Sequence, residues 1–548
     1  MGQRWDVIVI GGGHNGLVAA GLLAKRGRRV CVLERRHKVG GAAVTETPWG
    51  PDYKMTALSY VVSLLPRAVL EELELARHGY KIYPQFPYFA PRRDGRYLMM
   101  CDDPARRAAQ VAKFSTRDAA EIARWDDWLG RLGALLGPML TQVPPRLGSK
   151  RPGDLLAALR TAWRFRTLDE RGVGDVTRLM TMSVADLLEE RFESDAVRGV
   201  LAVSGVIGTW AGPRSPGTAY VMAHHKMGDV GGGPGDGRGG GPGDGRGDGP
   251  GHGTTGSWGF PEGGMGGVTG ALRAAAEALG ATIRTDAEVA KIKVSDGRAT
   301  GVVLAGGDEL DADAIIATTH PKITFLRHLE RADLPDDFVT AIERWKSRSG
   351  TVKVNLALDR LPDFTCKPGV DPEVHGGTIV LAESLDDLEH AFQDAVGGAP
   401  ARQPFADICI PSVFDPTLAP PGKHVMSMFT QWVPHGFAAA PHTAELEAYA
   451  DRLVARLEDL APGFTSSILH RQVIGPHEME TTYSLLGGNI FHGELSANQL
   501  FHMRPAPGYA DFTTPIRGLY QASSATHGGG GVTGIPALQA VRRLIKDT

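Results

Sequence analysis

The chain has 548 residues, with 59 basic and 62 acidic side chains and a net charge of −3. That length predicts two or three domains, and the near-neutral balance excludes any general attraction to nucleic acid or anionic lipid. No apolar run is long enough to span a bilayer, and the four scattered cysteines (Cys31, Cys101, Cys366, Cys409) form no C-x-x-C redox pair.

The first element is a βαβ unit. An apolar run, Val7 to Ile10, ends in glycines; a small-residue helix follows, and a second apolar run, Val30 to Leu33, ends in Glu34. Gly11, Gly13 and Gly16 make G-x-G-x-x-G. Gly11 permits the tight turn, Gly13 lets a pyrophosphate approach the backbone, and Gly16 lets the helix lie close to the strand. The helix N-terminus, where His14 and Asn15 sit, offers N–H groups and a positive dipole end to phosphates. Glu34 is placed to accept hydrogen bonds from a ribose, and Gly40-Gly41 follows as a further glycine pair. Such a stretch binds a dinucleotide. So little precedes the first strand that cytoplasmic residence is the expectation.

Residues 42–56 read as a loop and Leu58 to Leu75 as a helix. Tyr80 to Pro91 and Tyr97 to Cys101 read as strands of a second sheet, joined by an Asp94-Gly95 turn. From Asp103 to about Met227 the pattern is helical and punctuated by prolines. GGGPGDGR then occurs at Gly231–Arg238 and again at Gly239–Arg246, which predicts a flexible loop. An alanine-rich helix is expected after Gly270. Strands follow at Thr282–Arg284, Val289–Val294 and Thr300–Leu304, and at Ala314–Thr318, where the chain returns to its first sheet. Strands at Thr351–Leu358, Thr378–Leu381, Asp407–Val413 and His424–Phe429, with a helix at Thr443–Leu460, complete the second sheet. GGVTG occurs at Gly266–Gly270 and Gly530–Gly534, each time opening a helix; only the second is expected to follow a strand.

Four motifs spread over nearly the whole chain carry a resemblance: GGGHNGLVAA at Gly11–Ala20, GFPEGGMGGVTGAL at Gly259–Leu272, GGNIFHGELS at Gly487–Ser496 and GLYQASSATHGGGGVTG at Gly518–Gly534. With them the sequence resembles the FAD-dependent phytoene desaturase-like oxidoreductases. The resemblance implies an α/β fold with a discontinuous Rossmann-like FAD-binding domain (1–75, 258–330 and 505–548) and a second, α+β substrate domain (76–230 and 331–504), with 231–257 as a glycine-rich loop. FAD would lie extended, its adenosine at Glu34 and Val289, its pyrophosphate over Gly11–Gly16, its ribityl chain over Gly40-Gly41. Gly531, Val532 and Thr533 would face the flavin's N1/C2 edge, where a helix N-terminus stabilises the charge of the reduced ring. Arg35 reads as a rim residue or a contact to the FAD phosphates. Two departures stand out. Relatives have Gly-Ser-Gly-Thr-His-Pro-Gly-Gly where this chain has Ala522 to Gly529, and the Gly-Asp pair of wider flavoprotein families is absent.

Among residues for chemistry, His527 is the candidate acid or base, although a turn histidine capping backbone groups is the favoured reading, since hydride transfer to a flavin needs no obligatory protein base. His492 and Glu494 are placed near the cavity or in its scaffold. His224-His225 lacks further ligands at metal spacing, so no metal is expected. The leading function is hydride removal from a C–H of a largely apolar small molecule, with electrons passed to oxygen, a quinone or another acceptor. The resemblance leaves two alternatives: a flavin-binding regulatory protein with little turnover and a protein partner, as in related mitochondrial proteins, or a polyene desaturase-isomerase touching a membrane surface.

Overall fold

The structure, a computed structural model, describes residues 4–226 and 258–548. The duplicated GGGPGDGR stretch lies outside the described residues. The chain begins in the first sheet with β1 (Trp5–Ile10), α1 (His14–Ala24) and β2 (Val30–Leu33). It then crosses to the second sheet as the hairpin β3 (Tyr88–Pro91) and β4 (Tyr97–Met100). Helices follow, among them α2 (Thr116–Leu140), α3 (Pro152–Arg164) and α4 (Asp195–Val206). From α5 (Met265–Ala278) the chain lays down β5 (Thr282–Arg284), β6 (Val289–Ser295), β7 (Arg298–Leu304) and β8 (Glu309–Ala317). The second sheet receives β9 (Thr351–Leu358), β10 (Thr378–Leu381), β11 (Phe405–Cys409) and β12 (His424–Gln431), then α6 (Thr443–Leu460) and β13 (Ile468–Ile474). Last come β14 (Leu519–Gln521) and α7 (Ile535–Asp547).

The first sheet is a parallel core in the order β5-β2-β1-β8-β14. The N-terminal half of β8 pairs instead with the antiparallel ribbon β6-β7. Alternation along β1 feeds two cores. Val7 and Val9 face α1, α5 and α7, while Ile8 and Ile10 pack with the 287–304 and 325–342 segments. The glycine turn therefore stands at the C-terminal edge of a parallel sheet, the position at which open α/β sheets bind ligands.

The second sheet runs β13-β9-β12-β11-β10-β3-β4, antiparallel throughout except where β10 meets β3. On one face Val352, Val354, Met426, Met428, Ala406 and Ile408 join the large core with the helical block. The other face carries Lys353, Asn355, Asp407, Cys409, Ser427 and Phe429, all buried. That face looks towards the first domain rather than into an apolar core.

Three expectations change. Of Leu58 to Leu75 only Arg67–Glu72 is α-helical; Pro66 caps it and biases the residue before it away from the helix, and Val62 bridges Gly259 in extended form. The Tyr80 to Pro91 run splits, with Ile82–Pro84 pairing Gly259–Pro261 instead of extending the hairpin. The first GGVTG also follows a strand, Gly259–Pro261, and lies within α5, whereas the second precedes α7. A Cβ at Gly267 would stand 1.9 Å from the Glu262 carbonyl oxygen, the same relation Gly16 bears to Gly11. The N-terminal amides of α5 have protein partners: Met265 and Gly266 donate to the hydroxyls of Thr56 and Thr45.

Candidate cofactor and substrate site

The three glycines of the first turn are distinguished by what a side chain would meet. Gly11 has φ +98°, and a Cβ there would reach Thr318 Oγ1 at 2.6 Å; at Gly16 it would stand 1.9 Å from the Gly11 carbonyl oxygen. At Gly13 the nearest atom would be the Gly41 Cα at 3.9 Å. Gly13 faces open space, and that space is a cavity. No side chain caps α1, so its first N–H groups face the cavity with the helix dipole behind them. Glu34 is held by the Gly12 N–H on Oε2 (2.7 Å) and the Arg36 N–H on Oε1 (2.8 Å), which fixes the carboxylate at the cavity edge.

At the start of α1, Asn15 is buried and His14 half-buried, and the buried atoms His14 Nε2 and Asn15 Oδ1 lack a partner. Burial pulls His14 down to about 4. Gly40, at φ +127°, donates to the Gly12 carbonyl and brings Gly41 against Gly13. Arg35 lines the cavity and donates to the carbonyls of Thr481 and Thr482. Val289, the first residue of β6, lines the same end. Gly531 and Val532 border the cavity in left-handed backbone, and Thr533, just behind them, receives the Ile535 N–H and donates to the Gly528 carbonyl. These three residues thus form the loop ahead of α7 and not its first turn.

His527 is brought elsewhere. Its Nε2 lies 2.8 Å from the Met139 carbonyl at the end of α2 and its ring is buried outside the cavity lining, so it ties a turn to a helix. His492 does line the cavity, with Nδ1 unpartnered, and burial pushes it down to about 3. Glu494 pairs with Arg348 at 2.7 Å. Three residues have no place in the sequence reading of the site. Arg504, fully buried without a carboxylate, donates to the carbonyls of Phe491, Ser524 and Thr526 and so joins two cavity loops. Lys353 and Asp407 stand on the cavity face of the second sheet; each is a charge inside an apolar strand run, which was the available signal.

The lining residues among these surround one cavity, which extends from Glu34 and the glycine turn to β9, β11 and β12. The residues fit FAD: a glycine facing open space, an uncapped helix end, orphaned buried polar atoms on His14 and Asn15, and a pre-oriented carboxylate are the donor set a dinucleotide needs. No helix among the described residues is long and apolar enough to cross a membrane.

Residues 9–69 match the NAD(P)-binding Rossmann-like domain, and residues 250–536 match the flavin-containing amine oxidoreductases. The chain belongs to this flavin-containing oxidoreductase family, and its cofactor is FAD. It is 36% identical to pyridine nucleotide-disulfide oxidoreductase domain-containing protein 2 of Rattus norvegicus, over 99% of the chain and 94% of that protein. It is 25% identical to all-trans-zeta-carotene desaturase of Myxococcus xanthus, over 97% of the chain and 91% of the desaturase. Cyclohexylamine oxidase from Brevibacterium oxydans IH-35A shares its fold, with a TM-score of 0.55 at 16% identity over 100% and 99% of the two chains.

Proposed function

We propose that the protein oxidises a largely apolar small molecule by removing hydride from one of its C–H bonds and passes the electrons to oxygen, a quinone or a similar acceptor. The observation that carries this reading is the single cavity joining the dinucleotide turn to the second sheet. FAD, when bound, supplies the hydride acceptor. Gly13 and the N-terminus of α1 hold the diphosphate, Glu34 the adenosine ribose, and Val289 flanks the adenine. Gly531 and Val532 turn backbone towards the ring system. Ile207, Leu485, Ile490 and Phe491 keep water from the reacting bond. No side chain of this chain is assigned as a base, and His527 has a structural role.

The kinship with a carotene desaturase supports an apolar substrate and a membrane surface as its source. On α3 no residue is buried, and Leu155, Leu156, Leu159 and Trp163 are 48–67% exposed. Lys150, Arg151, Arg160 and Arg166 are exposed beside them. Aromatic and leucine side chains beside cations suit the interface of an anionic bilayer. The function is tested on purified protein, which should be yellow and release flavin on denaturation, and whose anaerobic flavin should bleach with particular metabolites. Colourless protein that ignores added FAD would sink the reading.

A further inference from the structure

The cavity wall on the second sheet is polar. Lys353 on β9 and Asp407 on β11 are both registered against Phe429 of β12, so the three side chains stand in a row on the cavity face. Asp407 is 3% exposed, and its Oδ1 has no hydrogen-bond partner. Tyr60 hydrogen-bonds the Asp407 carboxyl, while the neighbouring Tyr88 hydroxyl is taken by Ser204. Lys353 Nζ donates to Ser427 Oγ and lies 4.2 Å from the centre of the Tyr60 ring. Burial pushes Asp407 up to about 7 and Lys353 down to about 7.

A buried carboxyl oxygen with no donor is rare in a native protein, and one that faces a ligand cavity calls for a donor on the ligand. Charge decides which donor. Lysine and aspartic acid together carry no net charge, whether both are ionised or the proton has moved to the carboxyl. A substrate ammonium would add an uncompensated charge to a desolvated site, at high cost. A hydroxyl supplies the missing O–H and adds none. Resting on the oxidoreductase reading above, we infer that the second-sheet end of the cavity is a subsite for a hydroxyl group carried by an otherwise apolar substrate, with Asp407 Oδ1 as its acceptor. The site thereby selects neutral alcohols over cationic amines.

The test is calorimetric titration of the flavin-loaded protein with 1-octanol, methyl octyl ether and octylamine, alongside Asp407→Leu and Asp407→Asn variants checked for unchanged flavin content. Octanol should bind at least tenfold more tightly than the ether or the amine. Asp407→Leu should erase that preference; if it does not fold, Asp407→Asn should reduce it several-fold. Equal binding of octanol and ether, preference for the amine, no binding of any probe, or a preference that survives in the variants overturns the subsite. Calorimetry needs no turnover. An octanol preference in a protein whose flavin no metabolite bleaches upholds the subsite and removes the oxidoreductase reading. Indifference to octanol in a protein that turns over removes the subsite alone.

Discussion

A methyl group at Gly16 would lie 1.9 Å from the Gly11 carbonyl oxygen, and one at Gly13 would touch nothing nearer than 3.9 Å. The two glycines therefore differ: the first is needed for the packing of helix on strand, and the second is open to the cavity. Gly16→Ala should lower stability by about 1–3 kcal/mol through overpacking, read as a fall in the midpoint of denaturant unfolding. Gly13→Val should leave that midpoint within error and lose most of the bound flavin, read as the absorbance ratio of flavin to protein. Arg504 is the other informative residue. Its guanidinium satisfies carbonyls of two cavity loops, and Arg504→Leu would strand them. A loss of about 3 kcal/mol or more is expected, with flavin content falling in parallel; a variant as stable as the parent would contradict this account of the loops.

At the scale of the element, burial separates α3 from the other helices of the block. α2 buries Trp125, Trp128, Leu129 and Leu132, and α4 is buried over most of its length, whereas α3 buries nothing. Co-sedimentation with vesicles containing phosphatidylserine should capture the protein at low salt, and Leu159→Asp with Trp163→Asp should reduce capture severalfold without changing flavin content. Equal recovery of the parent and the double variant in the pellet would remove α3 from the interface. The second sheet obeys the same logic from the other side. Its strands alternate because one face meets a packed core and the other lines the cavity.

Over the whole molecule, stability is expected to depend on pH through histidines buried as neutral groups. Burial holds His14 and His527 at about 4, and His224 and His492 at about 3, against about 6.5 in an unfolded chain. The unfolded chain binds protons that the fold refuses. Stability is therefore full above about pH 6.5 and declines as pH falls towards 4, by about 1.4 kcal/mol per unit for each histidine. Asp407, whose carboxyl is pushed up to about 7, works in the opposite sense. A melting temperature flat between pH 7 and pH 4.5 would show that these rings are not held neutral.

Much of the fold is legible in the sequence alone. Val7–Ile10, the spaced glycines and Glu34 specify strand, turn, helix and a carboxylate at the cavity edge by local rules alone, since a tight turn and a close helix each demand a residue without a side chain at a fixed position. The alternation of strands with helices likewise foretold two sheets and a return of the chain at β8. Other features had no local signature. The non-helical backbone at 57–66 follows its seat along the cavity, the bridge of Val62 to Gly259 and Pro66, against an apolar spacing that reads as helical. His527 lies next to glycines in sequence, yet its ring is drawn to a carbonyl of α2. Lys353 and Asp407 are 54 residues apart and become one site only because β9 and β11 flank β12. The sequence by itself thus determined that the protein has a dinucleotide-binding turn, because that turn is built from contiguous backbone. Which side chains line the other end of the cavity was left to the tertiary structure, because that end is assembled from strands that meet only when the second sheet forms.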